Sequence, residues 1–223
     1  MKITLLCSGN GGNLRALKVF VDYLAEMFDL RISLSCLVDR PCGAADFANH
    51  NGIPCQMLSH PRGDSSNFIM TLKQEMPDLI LTNIHKILDD SYVTIFGNVS
   101  FNLHYSLLPK YAGEIGENPI RFAYILDEFL GTTLHLVNRI VDSGEILIQS
   151  RVKSSDVKSF QDALNVCFTL GTLQIISLIC SKFNLRPKEL ELEEVESIFG
   201  IQTESLGKLW APRYSISNEF FNL

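Results

Sequence analysis

The chain has 223 residues, of which 46% are apolar and 20% charged, and a formal net charge of −6. At roughly 150 residues per domain, that length means one domain with an appendage, large enough to bury a core without staples. The composition argues against disorder, collagen and a coiled coil. The acidic excess, 25 Asp and Glu against 19 Lys and Arg, argues against a broad nucleic-acid surface, which needs clustered positive charge.

Strand and helix signals alternate along the chain. A β-rich run, Lys2–Cys7, leads into Ser8-Gly9-Asn10-Gly11-Gly12 and an amphipathic helix over residues 13–27. Residues 31–38 read as a second strand, 43–51 as a helix closed by Gly52, and 54–58 as a short third strand. A helix over 65–75 stops at Pro77, an apolar strand covers 78–83, a short helix 88–96 and a fifth strand 99–104. This β-α-β-α order with nearly continuous apolar strands predicts an α/β fold. It is Rossmann-like, with a mostly parallel sheet and helices on both faces. Ligands are then expected at the carboxyl ends of the strands.

Beyond residue 104 the pattern changes. A turn-rich loop fills 107–113, a helix 119–126, and two strands 132–137 and 145–152 can pair antiparallel across the loop 138–144. Residues 163–181 carry no charge, near the length that a bilayer requires. Six polar residues interrupt that stretch, and its large apolar residues recur at helical spacing. A buried helix over 159–183 is therefore expected rather than a span. The acidic stretch 189–194 reads as a solvated helical face. The division expected is a catalytic domain over 1–183 and a tail over 184–223.

Six cysteines stand at 7, 36, 42, 55, 167 and 180, without a C-x-x-C pair or an adjoining His cluster. Free, partly buried thiols in a reducing cytoplasm are expected, and no metal site. The N-terminal run turns polar too early for a signal peptide.

Three features bear on chemistry. Ser8-Gly9-Asn10-Gly11-Gly12-Asn13 joins a strand to a helix, where backbone N–H groups and the helix dipole favour an anion. It is neither G-x-G-x-x-G nor a Walker A motif, and a plain tight turn explains it equally well. Asn102 and His104 alternate on a strand and so share a face. An amide donor beside an imidazole suits charge developing on a carbonyl oxygen, although a lone His at a strand end is more often structural. Asp142 stands in a loop between strands; alone it is a turn residue, but beside His104 it would raise that group's proton affinity. There is no G-x-S-x-G elbow and no Cys in a recognisable reactive context, which favours direct attack by a substrate nucleophile.

Together these segments carry a resemblance. Ser8-Gly9-Asn10-Gly11-Gly12-Asn13-Leu14 matches S-G-N-G-S-N-L, and residues 102–113 match N-I-H-P-S-L-L-P-K-Y-P-G. Gly131-Thr132-Thr133-Leu134-His135 matches G-x-T-x-H, and Asp142-Ser143-Gly144-Glu145-Ile146-Leu147-Ile148-Gln149 matches D-x-G-x-x-I-x-Q. The chain resembles the folate-dependent formyltransferases over about residues 1–183, and its first half is most similar to the glycinamide ribonucleotide transformylases among them. The resemblance implies the formyltransferase fold and an Asn102, His104 and Asp142 catalytic group. It implies N10-formyltetrahydrofolate as co-substrate, held by Ile84, His85, Lys86, Ile87 and Leu88 with Val137 and Val141. Gly11, Gly12, Asn13 and Tyr105 are expected to face the acceptor.

The departures concern that acceptor. Gly12 replaces a Ser, residues 114–120 replace a Gly-x-His-Thr loop, and Leu170-Gly171-Thr172-Leu173-Gln174-Ile175 replaces an E-H-x-x-Y-P signature whose Glu grips the ribonucleotide. A nucleotide-linked amino sugar, an anionic small-molecule amine, is therefore the expected acceptor. The alternatives are glycinamide ribonucleotide itself, a non-catalytic folate- or nucleotide-binding module, and a hydrolase releasing formate. No nucleic acid or membrane partner is expected, while the tail with Trp210-Ala211-Pro212-Arg213 is expected to cover the acceptor cleft or to pair in a homodimer.

Overall fold

The structure is a computed structural model that describes residues 1–183. The expected tail, with its acidic stretch and Trp210, lies outside the described residues. Seven strands hydrogen-bond in the order β3-β2-β1-β4-β5-β6-β7. They are β1 (Lys2–Cys7), β2 (Ser33–Val38), β3 (Cys55–Met57), β4 (Leu79–Asn83), β5 (Ser100–His104), β6 (Phe129–Leu136) and β7 (Ile146–Lys153). The helices are α1 (Gly12–Phe28), α2 (Gly43–His50), α3 (Ser66–Glu75), α4 (Asp90–Phe96), α5 (Asn118–Ile125) and α6 (Phe160–Lys182). The described chain divides into two compact units.

The first unit comprises Met1–Leu103 and His135–Glu145. Its strands are parallel, with Leu5 opposite Cys36 on β2 and opposite Leu81 on β4. Successive residues of β1 point to opposite faces, yet Ile3, Leu5 and Leu6 are all at most 1% exposed. Both faces are therefore covered, as a parallel sheet requires. Leu6, Leu37 and Ile80 pack with Phe68 and Leu72 of α3 and Tyr92 and Phe96 of α4.

Two boundaries in this unit differ from expectation by two residues, the others by at most one. Strand β2 starts at Ser33 rather than residue 31, because its ladder with β1 begins where Lys2 lies opposite Ser33. Helix α4 starts at Asp90 rather than residue 88, because Asp89 caps it by accepting from the Tyr92 N–H at 2.9 Å.

The second unit comprises His104–Leu134 and, among the described residues, 146–183. Strand β6 starts at Phe129, three residues earlier than expected. The strand expected from residue 132 leaves Gly131 out, but Gly131 lies within β6, and a side chain there would collide with Leu107 and the Ser150 carbonyl. The glycine permits a close approach inside a strand. The Leu136 N–H bonds the Glu145 carbonyl, so the end of β6 meets the start of β7 and the two run antiparallel, as expected. Helix α6 is long and apolar enough to cross a membrane, but 67% of its most apolar stretch is buried. Ala163 and Cys167 join Ile120, Ala123, Leu130 and Val152 in the core of this unit.

All six cysteines are free. Hydrogen bonding to Cys7 and burial push the Cys36 thiol up, and burial pushes Cys55 and Cys167 up to about 12 and Cys180 to about 11.

Burial pushes the Asp89 carboxyl up, but hydrogen bonds from the backbone of Tyr92 and Ser65 outweigh it and hold it below its ordinary value. A carboxyl lowered on folding contributes stability above its unfolded pKa of about 3.9, and that contribution is lost as pH falls through its folded pKa. Asp89→Ala is expected to cost about 1 kcal/mol at neutral pH through loss of the cap. Urea melts at descending pH should show a shallower acid loss in the variant than in the parent.

Candidate functional site

The strand order reverses at β1, which lies between β2 and β4. That is where an open α/β sheet leaves a crevice beyond its strand ends. The chain leaves β1 into the Gly-rich turn and leaves β4 into the corner at residues 84–88. The Ser8 N–H bonds the Asn83 carbonyl at 3.2 Å, and the His85 N–H bonds Ser8 Oγ at 3.0 Å. Two segments singled out in the sequence are thus hydrogen-bonded neighbours.

Gly11 has φ 75° and precedes α1. A Cβ there would lie 2.8 Å from Ala44 Cα, so the turn needs glycine both for its backbone conformation and for space. Helix α1 has no side-chain cap and no acidic residue in its first turn, which leaves its positive end unneutralised locally. Gly12 is half-buried and Asn13 is buried. At the other segment, Ile84 and Leu88 pack on the core of the first unit, while His85 and Ile87 are exposed. Lys86 Nζ donates to the His60 carbonyl at 2.6 Å.

Asn102 on β5 is held by three side chains. Its amide Nδ2 donates to Asp142 Oδ1 at 3.2 Å and to His135 Nε2 at 3.2 Å. Thr82 Oγ1 donates to its carbonyl oxygen at 3.3 Å. The other nitrogen of His135 lies 2.9 Å from the Leu136 carbonyl, which can only accept. The hydrogen of a neutral ring therefore sits on Nδ1, and Nε2 accepts from Asn102. His135 Nε2 also lies 3.6 Å from Asp142 Oδ1. The side chains of His135 and Asp142 are 3% and 8% exposed, so this polar group is largely withdrawn from water.

The loop that delivers Asp142 is built by backbone constraint. Asp142 has φ 53°, a left-handed conformation that Asp tolerates better than most residues. Two residues on, a Cβ at Gly144 would collide with the Leu136 carbonyl. The D-x-G spacing thus places a tolerant residue and an obligatory glycine in one tight turn.

His104 follows Asn102 by two residues on β5. Its Nε2 lies 3.0 Å from the Tyr111 carbonyl, so the hydrogen sits on Nε2 and Nδ1 is the nitrogen that can take up a proton. The loop behind it is held by Gln149, whose amide donates to the Leu108 carbonyl and to Thr133 Oγ1, each at 3.0 Å. Tyr105 is the first residue beyond β5. It packs on the core of the second unit and lines a cavity of about 260 Å³ with Tyr111, Glu128 and Phe129. Val137 is half-buried and Val141 exposed, at the start and within the Asp142 loop.

Sequence reasoning missed two partners of Asn102. His135 lies in the G-x-T-x-H match but received no role, and Thr82 had no motif at all. Strand alternation offers a signal for His135, since Thr133 and His135 share a face of β6. Among the described residues no group of His, Cys, Asp and Glu is arranged to hold a metal.

Gly144→Ala is expected to destabilise by about 2 kcal/mol or more, because the backbone must shift to clear the Leu136 carbonyl. In a chain of this size, that lowers Tm by roughly 4–8 °C. Ile140→Ala, in the same loop but 70% exposed, should melt with the parent.

The formyl transferase family model matches residues 1–165. A phosphoribosylglycinamide formyltransferase of Haemophilus influenzae is 32% identical over 168 residues, covering 68% of this chain and 72% of that protein. A methionyl-tRNA formyltransferase of Borrelia turicatae is 30% identical over 156 residues, covering 66% of this chain and 48% of that protein. In fold, the chain is similar to the crystal structure of a phosphoribosylglycinamide formyltransferase from Brucella melitensis. The TM-score is 0.66 at 21% identity, covering 82% of this chain and 94% of that one. With the family model spanning most of its length and an N-x-H strand, a D-x-G loop and the Gly-rich turn in place, the chain belongs to the formyl transferase family.

Proposed function

We propose that the protein transfers a formyl group from N10-formyltetrahydrofolate to a primary amine by direct attack, with Asn102, His104 and Asp142 as its catalytic residues. The observation that carries this reading is the Asn102–Asp142 hydrogen bond in a group withdrawn from water. Attack of the amine on the formyl carbon puts negative charge on the formyl oxygen. An amide N–H of Asn102 and a protonated His104 Nδ1 stabilise that charge. Asp142 accepts the amine's proton through water. The C–N bond to the folate then breaks, and N10 leaves with a proton.

Asn102 has only two N–H hydrogens, and His135 and Asp142 engage both. Stabilising the oxyanion therefore means exchanging one of those bonds. His135 acts here as the acceptor that keeps the amide correctly turned when the bond to Asp142 is given up.

The acceptor is a small amine. The Haemophilus relative's name makes phosphoribosylglycinamide the first candidate. A nucleotide-linked amino sugar is the second reading, and one observation weighs against the first. Leu170, at the position of the carboxylate that grips ribose in the transformylase signature, is 5% exposed within α6. A buried leucine offers ribose hydroxyls nothing to pair with.

Formyl transfer is followed spectroscopically with both acceptors. Efficient turnover of phosphoribosylglycinamide alone would remove the amino-sugar reading. Formate release without any acceptor would point to a hydrolase, and binding without turnover to a non-catalytic module. Asn102→Ala is expected to lower kcat by about 10²–10³-fold, the usual loss on removing one oxyanion donor. Asp142→Asn should lower kcat with little change in the donor KM; an unaltered kcat in either variant would reject the catalytic assignment.

A further inference from the structure

Asp39 is the first residue beyond β2, and its side chain is fully closed off from solvent. A carboxylate in that position needs partners, because burying an unpaired charge is strongly unfavourable. It has three. Arg40 grips it with both ends of its fork, Nε to Oδ1 at 3.1 Å and Nη2 to Oδ2 at 2.7 Å. Lys86 Nζ lies 3.7 Å from Oδ2. The Ser8 hydroxyl donates to it as well.

Two of these partners, Ser8 and Lys86, belong to other segments. Ser8 opens the Gly-rich turn and, through Oγ, accepts the His85 N–H. Lys86 belongs to the corner after β4 and donates onward to the His60 carbonyl. His60 Nε2 returns to the corner, 3.3 Å from the Ile87 carbonyl. His60 is 2% exposed, and its ring packs edge-on against Phe68 with centroids 5.0 Å apart, which anchors this chain of contacts in the core. Residues 85, 86 and 87 are thus each held by a polar contact, and two of the three lead back to Asp39. The corner needs such fixing, since it has no regular secondary structure and only Ile84 and Leu88 pack into the core.

We propose that Asp39 is a positioning residue for the formyl donor: its buried carboxylate ties Ser8 and Lys86 together and so holds the 84–88 corner in register with the Gly-rich turn. This rests on the reading that the corner holds the folate. Asp39 touches no reacting atom in this account. Its loss changes how well the donor is bound, because part of the binding free energy must then order the corner.

Asp39→Asn keeps the size of the side chain and its hydrogen bonding to Ser8 but removes the charge that Lys86 and Arg40 face. The KM for N10-formyltetrahydrofolate is expected to rise about five- to tenfold with kcat within about twofold of the parent. Calorimetric titration with tetrahydrofolate, which does not depend on turnover, should weaken by the same factor. Should the variant fold poorly, Lys86→Met tests the same link from the solvent side, where Lys86 is 37% exposed. In the double variant the two effects should fall well short of multiplying, the mark of residues acting through each other. An unchanged donor KM in Asp39→Asn, a fall in kcat alone, or independent effects of the two substitutions would overturn the proposal. Failure of the parent reading is distinguishable, since the unmodified protein would then neither bind tetrahydrofolate nor transfer formyl groups.

Discussion

A parallel sheet covered on both faces displays polar chemistry mainly at and beyond the carboxyl ends of its strands. In the first unit the central strands β1 and β2 are buried along nearly their whole length, and β4 gains exposure only at Asn83. Polar side chains within it are paired locally, as Thr4 is with Ser35 and with Glu75 of α3. What remains for binding is the set of turns leaving β1, β2 and β4. The Gly-rich turn, Asp39 and the 84–88 corner occupy those three places. Their hydrogen bonds to one another follow from the strand order, which sets β1 between β2 and β4.

The Asn102 group solves a different problem. An amide donor stabilises a developing charge only if its orientation is settled beforehand, because reorientation during reaction would consume part of the benefit. Three partners settle it: Thr82 on the carbonyl end, His135 and Asp142 on the nitrogen end. His135 has its own tautomer set by the backbone of its neighbour Leu136. The orientation of one side chain is thus traceable to a backbone carbonyl.

Much of this was legible in the sequence. The β-α-β-α alternation read correctly because parallel strands buried on both faces leave unbroken apolar runs. The Gly-rich turn and the Asp142 loop were legible because backbone geometry there demands particular residues at Gly11 and Gly144. Boundaries were less so. Asp89 ends the corner two residues later than hydrophobicity indicates, because its cap is a side-chain bond that the apolar pattern does not register. The expected strand stops short of Gly131, which lies inside β6 because Leu107 and Ser150 crowd around it and only a glycine fits. Thr82 and Asp39 were invisible for a related reason. Each matters through residues that are distant in sequence, and an apolar strand ending in a polar residue is too common to single out.

The cysteines have a bearing on the chemistry that their burial alone does not announce. A formyl group attached to nitrogen is an electrophile, and the nucleophilic form of cysteine is the thiolate. Burial and, for Cys36, the bond with Cys7 keep the thiols of Cys36, Cys55, Cys167 and Cys180 protonated at neutral pH. A chain with six free sulfhydryls thereby keeps these four out of competition with the amine for an activated one-carbon unit.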